Sequence, residues 1–198
     1  YTELCKIKSA FDPLNKMNPG KICTPYESAE KLVKVSDQKR GEFDRQIPVA
    51  IRTSFEPAMS CNGNGLCFNY DKTSPMCPSF KITADRRHSP KGRAGMVREW
   101  LRLLAKQNID INELEKSTDS FSWFEKLRHT LDKKKQADFS HEVMEVMDGC
   151  LACKACSSQC PVSVDVPSFR SRFIKMYYDR YLRPPKDLLV ANIETMAP

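Results

Sequence analysis

Four cysteines fall within eleven residues in the run Cys150-Leu-Ala-Cys153-Lys-Ala-Cys156-Ser-Ser-Gln-Cys160-Pro161, and no other feature of the chain limits its fold as strongly. The spacing C-x2-C-x2-C-x3-C-P is one that cubane iron–sulfur clusters take. A cubane presents iron corners a few ångströms apart, and cysteines at every third position of a loop can wrap several corners at once. Ala152, Ala155, Ser157 and Ser158 are small enough to let backbone N–H groups face cluster sulfides, and Pro161 turns the chain away. A structural zinc site usually draws on two ligand pairs separated by about a dozen residues. Four donors in one short run point to iron and sulfide instead.

The other cysteines stand at positions 5, 23, 61, 67 and 77, for a total of nine. An odd number, with four crowded together, argues against a disulfide framework, because pairing neighbours would be strained and would staple nothing distant. In two-cluster proteins the cysteine that precedes the proline serves the other cluster. That directs attention to Cys77-Pro78, preceded by Cys61 and Cys67. The segment Cys61-Asn-Gly-Asn64-Gly-Leu-Cys67 reads as a C-x2-C-x2-C triplet with Asn64 in place of the middle ligand, and the gap from Cys67 to Cys77 is long. Asparagine is a poor iron ligand, so this half is compatible with a three-iron cluster, an unusual four-iron cluster, or none. With two clusters, Cys77 joins Cys150, Cys153 and Cys156. With one, Cys160 completes the set. Cys5 and Cys23 have no partner spacing and read as ordinary thiols.

A formal net charge of +7 raises the question of nucleic acid. The cations are scattered, however, and Lys133, Lys134 and Lys135 read as a solvated face without interleaved aromatic stacking platforms. Nucleic acid is therefore not expected as a partner. No apolar run approaches the length of a membrane span, and no secretory leader is visible. The chain opens at Tyr1, which suggests a piece of a longer polypeptide. Basic residues in Asp85-Arg86-Arg87-His88-Ser89-Pro90-Lys91-Gly92-Arg93 either ease the addition of an electron to an anionic cluster or simply face water at a helix start. His88, His129 and His141 are expected at the surface. There is neither a nucleotide-binding glycine turn nor a nucleophile elbow, so no catalytic residue is assigned. Any two-electron chemistry must belong to an organic cofactor held elsewhere.

Periodicity predicts a small all-helical domain with cysteine-bearing loops. Residues 1 to about 25 are turn-rich, at Phe11-Asp12-Pro13 and Asn18-Pro19-Gly20-Lys21. Residues 26–58 read as a linker with one short helix around Ser28 to Val35. Helices are expected from about Gly92 to Gln107, with Val97, Trp100, Leu101 and Leu104 on one face, and from about Ser120 to Leu131, with Phe121, Phe124, Leu127 and Leu131 on one face. A third starts after Ser140 as its cap, carries Val143, Val146 and Met147, and stops at Asp148-Gly149. A fourth starts near Pro167, aligns Phe169, Phe173, Tyr177 and Tyr181, and is ended by Pro184-Pro185. The aromatic stripes read as core. No segment alternates as a strand.

Several pieces occur in order in one known family: Cys61 through Cys67, Met76-Cys77-Pro78-Ser79-Phe80, Arg86 through Ala94, and Met147-Asp148-Gly149-Cys150 through Cys156. Over about residues 59–183 the chain closely resembles the bacterial fusion proteins that join an FAD-linked 2-hydroxyacid oxidase to an iron–sulfur module, above all those acting on D-2-hydroxyglutarate. The resemblance implies an α-helical ferredoxin-like domain at 59–183, preceded by the tail of the FAD-linked oxidase domain at 1–25 and the linker at 26–58, with a following region beginning at 184. It implies a 4Fe-4S cluster, with a second left open, and FAD in the parent protein, with Asn18 and Lys21 in the flavin's vicinity. Electrons would pass from flavin through this segment to an acceptor such as a quinone, in a protein that is cytoplasmic or peripheral at the inner membrane. D-lactate and glycolate dehydrogenases are the alternative parents, and a structural zinc or iron–sulfur domain without a redox role is the alternative of a different class. Glycolate-oxidase-type iron–sulfur subunits carry two full cysteine runs, from which this chain departs at Asn64.

Overall fold

The computed structural model describes residues 1–37, 41–116, 121–132 and 139–193, and all regular structure among them is helical. The chain divides into two compact units, Tyr1–Glu42 and Phe43–Pro198.

In the first unit, helix α1 (Thr2–Phe11) is followed by irregular chain. Buried Asp12 organises the turn after it, accepting from the backbone N–H groups of Lys16 and Met17 at 2.8 Å each and pairing with Lys8 at 2.6 Å. Buried Cys5 and Cys23 face the interior of this unit, and the Cys23 thiol lies 3.6 Å from the Leu4 carbonyl. The turn signals had concealed α1. Conversely, no helix forms over Ser28 to Val35. That stretch carries too few apolar residues at helical spacing to bury a face.

The second unit contains α2 (Val49–Ser54), α3 (Glu56–Met59), α4 (Pro78–Thr83), α5 (Pro90–Lys106), α6 (Ile111–Lys116), α7 (Trp123–Leu131), α8 (Ser140–Asp148), α9 (Ala155–Gln159), α10 (Val166–Arg180) and α11 (Pro185–Ala191). Short 3-10 turns at Phe43–Gln46, Leu66–Phe68 and Arg86–His88 join them. Helix α5 is the axis. The Ser89 hydroxyl accepts from the Gly92 N–H at 3.0 Å, Pro90 occupies the first turn, and Val97, Trp100 and Leu101 are buried on the face that periodicity predicted. Helix α10 starts on an Asp165 cap and buries Phe169, Phe173 and Tyr177 against it, with Trp100 edge-on to Phe173 at 4.9 Å. Val143, Val146 and Met147 of α8 complete the buried side.

Gly92 is required by a close approach: a Cβ there would lie 2.1 Å from the Arg86 carbonyl oxygen and 2.7 Å from the Arg87 Cα. Arg172 of α10 ties α6 to the junction of α2 and α3. It pairs in a fork with Glu115 of α6, at 3.0 and 2.6 Å, donates to the Ser54 carbonyl, and stacks over the Phe55 ring at 3.9 Å. This guanidinium holds the Glu115 carboxyl below its ordinary range.

The expected helix ending at Leu131 forms only from Trp123, behind a reciprocal Ser122–Glu125 capping box. Ser120 and Lys133 to Lys135 lie outside the described residues. Phe121 precedes the helix, and Phe124 and Leu131 are exposed at 77% and 73%, so the predicted stripe is not its core face. Helix α7 is instead attached through Lys126, which donates to the Tyr178 carbonyl at 3.0 Å, and through Thr130, which accepts from the Leu182 N–H at 3.0 Å. Ser140 is the first residue of α8, not its cap, and Pro185 starts α11 where the proline pair was expected only to stop α10. The three histidines, expected at the surface, are partly buried, and His141 lies 3.0 Å from the Tyr177 hydroxyl. No helix among the described residues is long and apolar enough to cross a membrane.

Gly92→Ala is expected to destabilise the chain by about 4 kcal/mol or more, because the new methyl meets backbone that cannot swing aside; denaturant unfolding measures it. The Glu115 pair makes stability fall with acid. A carboxyl lowered in the folded state stabilises fully above its unfolded pKa and loses that contribution as pH falls through the folded one. Glu115→Gln is expected to cost about 1 kcal/mol near neutrality and to flatten the acid limb of a melting-temperature against pH curve.

Candidate metal centre

Two loops carry the cysteines of the second unit, and arginines hold both in place. Helix α3 runs into the first loop, and its trailing carbonyls have no partner within the helix. Arg98 of α5 meets them, donating to Ala58 at 2.9 Å, to Met59, and to Cys61 at 3.0 Å, while pairing with Asp44 at 3.3 Å. Helix α8 runs into the second loop in the same way. Arg93 of α5 donates to the Val146 carbonyl at 2.8 Å, and Arg170 of α10 donates to Met147 at 2.9 Å, just before Cys150.

Within the first loop, Gly63 and Gly65 adopt left-handed backbone, with φ of 76° and 87°. The chain then returns past Phe68 and Tyr70, whose rings pack on Phe80 of α4 at 5.5 and 5.0 Å. Cys77 is buried at the start of α4 with φ of 43°. In the second loop Ala152 and Lys154 have φ of 51° and 61°, which curls the chain so that Cys150 and Cys153 face the same space as buried Cys156 in α9.

The thiols gather in two adjacent cavities. Cys77, Cys150, Cys153 and Cys156 line the first, with Arg93 and Lys154 in its wall. Cys61, Cys67 and Cys160 line the second, together with Asn64, Met76 and Lys91. Pro90, at the head of α5, belongs to both walls. The structure thus separates Cys160 from the three cysteines that precede it in sequence and puts Cys77 in their company. All nine cysteines are free thiols. Asn18 and Lys21 are exposed in the first unit.

Burial pushes the Cys156 thiol up to about 11, with the neighbouring Cys150 and Cys153 adding to the effect, and burial likewise raises Cys67. Metal ligation requires thiolates, so a bound metal must supply the compensating positive charge. Among the described residues no three His, Cys, Asp or Glu side chains converge closely enough to ligate a single ion. A four-iron cluster takes one thiolate at each iron corner, and the first cavity is lined by four thiols. The four-thiol set of the first cavity fits a four-iron cluster.

The basic segment that leads into α5 does not face one way. Arg87 pairs with Asp85 at 2.8 Å, and Arg86 and Lys91 lie over the Phe68 ring at 5.2 and 5.6 Å. Arg93 turns inward instead. It is 1% exposed, lies 3.7 Å from the Cys77 sulfur, and also donates to the His88 carbonyl and to the Ser79 hydroxyl at 2.9 Å. None of these partners is a carboxylate, so a fixed positive charge is buried beside a candidate ligand. The sequence carried a signal for it: Arg93 sits four residues before Val97, on the apolar stripe of α5. Arg98 and Arg170 carried none.

The family model for the 4Fe-4S dicluster domain matches residues 57–164. The chain belongs to that family. Along its whole length it is also similar to curated proteins named D-2-hydroxyglutarate dehydrogenase, at 56% identity to that of Pantoea ananatis, 55% to that of Escherichia coli and 49% to that of Pseudomonas putida. It spans about 20% of the length of each. No solved structure matches it.

Arg98→Met is expected to leave the carbonyls at the end of α3 unpaired, at a cost of about 1–3 kcal/mol. Pulsed alkylation of the metal-free chain should then label Cys61 and Cys67 faster, with Cys150 and Cys153 unchanged.

Proposed function

We propose that this chain is the iron–sulfur segment of an FAD-dependent D-2-hydroxyacid dehydrogenase acting on D-2-hydroxyglutarate. The observation that carries the reading is the four-thiol cavity formed by Cys77, Cys150, Cys153 and Cys156, in a chain similar throughout to proteins of that name. In this reading D-2-hydroxyglutarate becomes 2-oxoglutarate at a flavin held by another part of the same polypeptide, and the iron–sulfur centre supplies one-electron transfer between that flavin and an acceptor such as a quinone.

The residues of this chain have defined tasks in that scheme. Cys77, Cys150, Cys153 and Cys156 hold a 4Fe-4S cluster, and Cys160 serves the second cavity with Cys61 and Cys67. Arg93 sets a positive charge against the cluster's anionic shell, which favours the reduced state. The buried apolar faces of α5 and α10 keep water from one side of the cluster. Residues 1–25 close the flavin-binding domain, with Asn18 and Lys21 on the flavin's side. The chain itself supplies no catalytic residue to the hydroxyacid.

In the intact protein, Cys153→Ser is expected to lower iron and acid-labile sulfide and to slow quinone reduction about tenfold or more. Flavin reduction by D-2-hydroxyglutarate, followed by stopped flow, should keep its rate. Unchanged iron content together with unchanged quinone reduction would overturn the reading. A substrate panel of D-2-hydroxyglutarate, D-lactate and glycolate, scored by kcat/KM, tests the substrate; preference for either of the last two overturns that part.

A further inference from the structure

We infer that the second cavity is a three-thiolate site that takes a three-iron cluster, with Asn64 serving as a hydrogen-bond donor to the Cys160 sulfur and not as an iron ligand. The inference rests on the reading of the two cavities as iron–sulfur sites and concerns only the second.

The donor set decides first. Among the described residues, Cys61, Cys67 and Cys160 are the only thiols lining this cavity, and neither a carboxylate nor an imidazole stands in its wall. Met76 offers a neutral thioether, a weak acceptor beside thiolate. Each iron corner of a cluster needs a terminal ligand. A four-iron cubane here would have one corner bare, whereas a three-iron cluster omits that corner and matches the thiols present.

The orientation of Asn64 decides the rest. Its side-chain oxygen accepts from the Leu66 N–H at 3.0 Å, and its amide nitrogen donates to the Asn62 side-chain oxygen at 3.0 Å. Turning the amide over would set oxygen against the Asn62 oxygen and N–H against the Leu66 N–H, repulsive on both sides. The network therefore fixes which end faces the cavity. That end is the donor: the Asn64 nitrogen lies 4.0 Å from the Cys160 sulfur. An N–H group has no lone pair for iron, but it stabilises a thiolate. The Asn64 backbone N–H also donates to the Asn62 oxygen, at 3.1 Å, and left-handed Gly63 and Gly65 on either side let the loop close around these contacts. Asn64 stands at the exposed rim, where water competes for a fourth corner, and the iron count separates the two.

The intact protein, purified and reconstituted anaerobically with ferrous iron and sulfide, is expected to hold one iron fewer than two complete cubanes. After mild oxidation it should show the EPR signal of an oxidised three-iron cluster, integrating to about one spin per chain. Asn64→Ala should keep both results, since the side chain is not a ligand. Asn64→Cys supplies the missing thiolate and should add the iron and abolish the signal. A wild-type iron content equal to two full cubanes overturns the inference. So does the content of a single cubane without the three-iron signal, and so does a change of cluster type in Asn64→Ala. Cys153→Ser run alongside separates the levels of failure. If it leaves the iron count untouched, the underlying reading falls; if it removes iron while the three-iron signal is missing from wild type, only the inference about Asn64 falls.

Discussion

A helix that stops at a cysteine-bearing loop leaves its last carbonyl groups without intrahelical partners, and in this chain guanidinium groups carried on α5 and α10 meet them. Arg98 closes the end of α3 at the first cysteine loop, and Arg93 and Arg170 close the end of α8 at the second. The two loops come from segments separated by the whole of α5 to α8, and neither has a sheet or a disulfide to hold it. Their common reference is the α5–α10 core, whose Trp100–Phe173 contact is buried and rigid. The arginines transmit that rigidity to the cysteines. Placing three cations inside or beside the core costs desolvation, offset here by carbonyl acceptors at helix C-termini, where the dipole already favours positive charge.

The same arrangement sets the electrostatics of the cavities. Four thiolates around a cluster make a net anion, and the net charge of +7 is partly disposed to meet it. Arg93 supplies a buried charge at the first cavity. Because the two cavities share Pro90, any electron carriers they hold lie close together, joined through the head of a single helix. That geometry explains why the segment from Ser89 to Arg93 is so constrained: it caps α5, needs Gly92 against the preceding turn, borders both cavities and buries a cation within five residues.

The helical class, the core faces of α5, α8 and α10, and the cysteine loops were legible from periodicity and spacing, because those signals are local. What failed was also local in origin. α1 was hidden by the turn residues that follow it, and the Phe124–Leu131 stripe marks a face that periodicity can detect but cannot assign to a neighbour. The inward turn of Arg93 was half legible from its place on the apolar stripe, whereas the carbonyl clamps of Arg98 and Arg170 join residues too far apart to leave a pattern.

By itself the sequence narrowed the ligand chemistry, since C-x2-C-x2-C-x3-C-P admits few metals, and it marked Asn64 as the break in the first cysteine run. Spacing left two ways of dividing the seven cysteines of the second unit, and tertiary structure decided between them. Cys77 reaches Cys150, Cys153 and Cys156, and Cys160 leaves its own run for Cys61 and Cys67, only because α5 and α10 pack the two loops side by side. The local contacts with Asn62 and Leu66 orient the Asn64 amide, and folding sets its nitrogen against Cys160. Spacing along a chain sets which sulfurs can curl round one centre, but a partnership across some seventy to a hundred residues exists only once the core has brought the loops together.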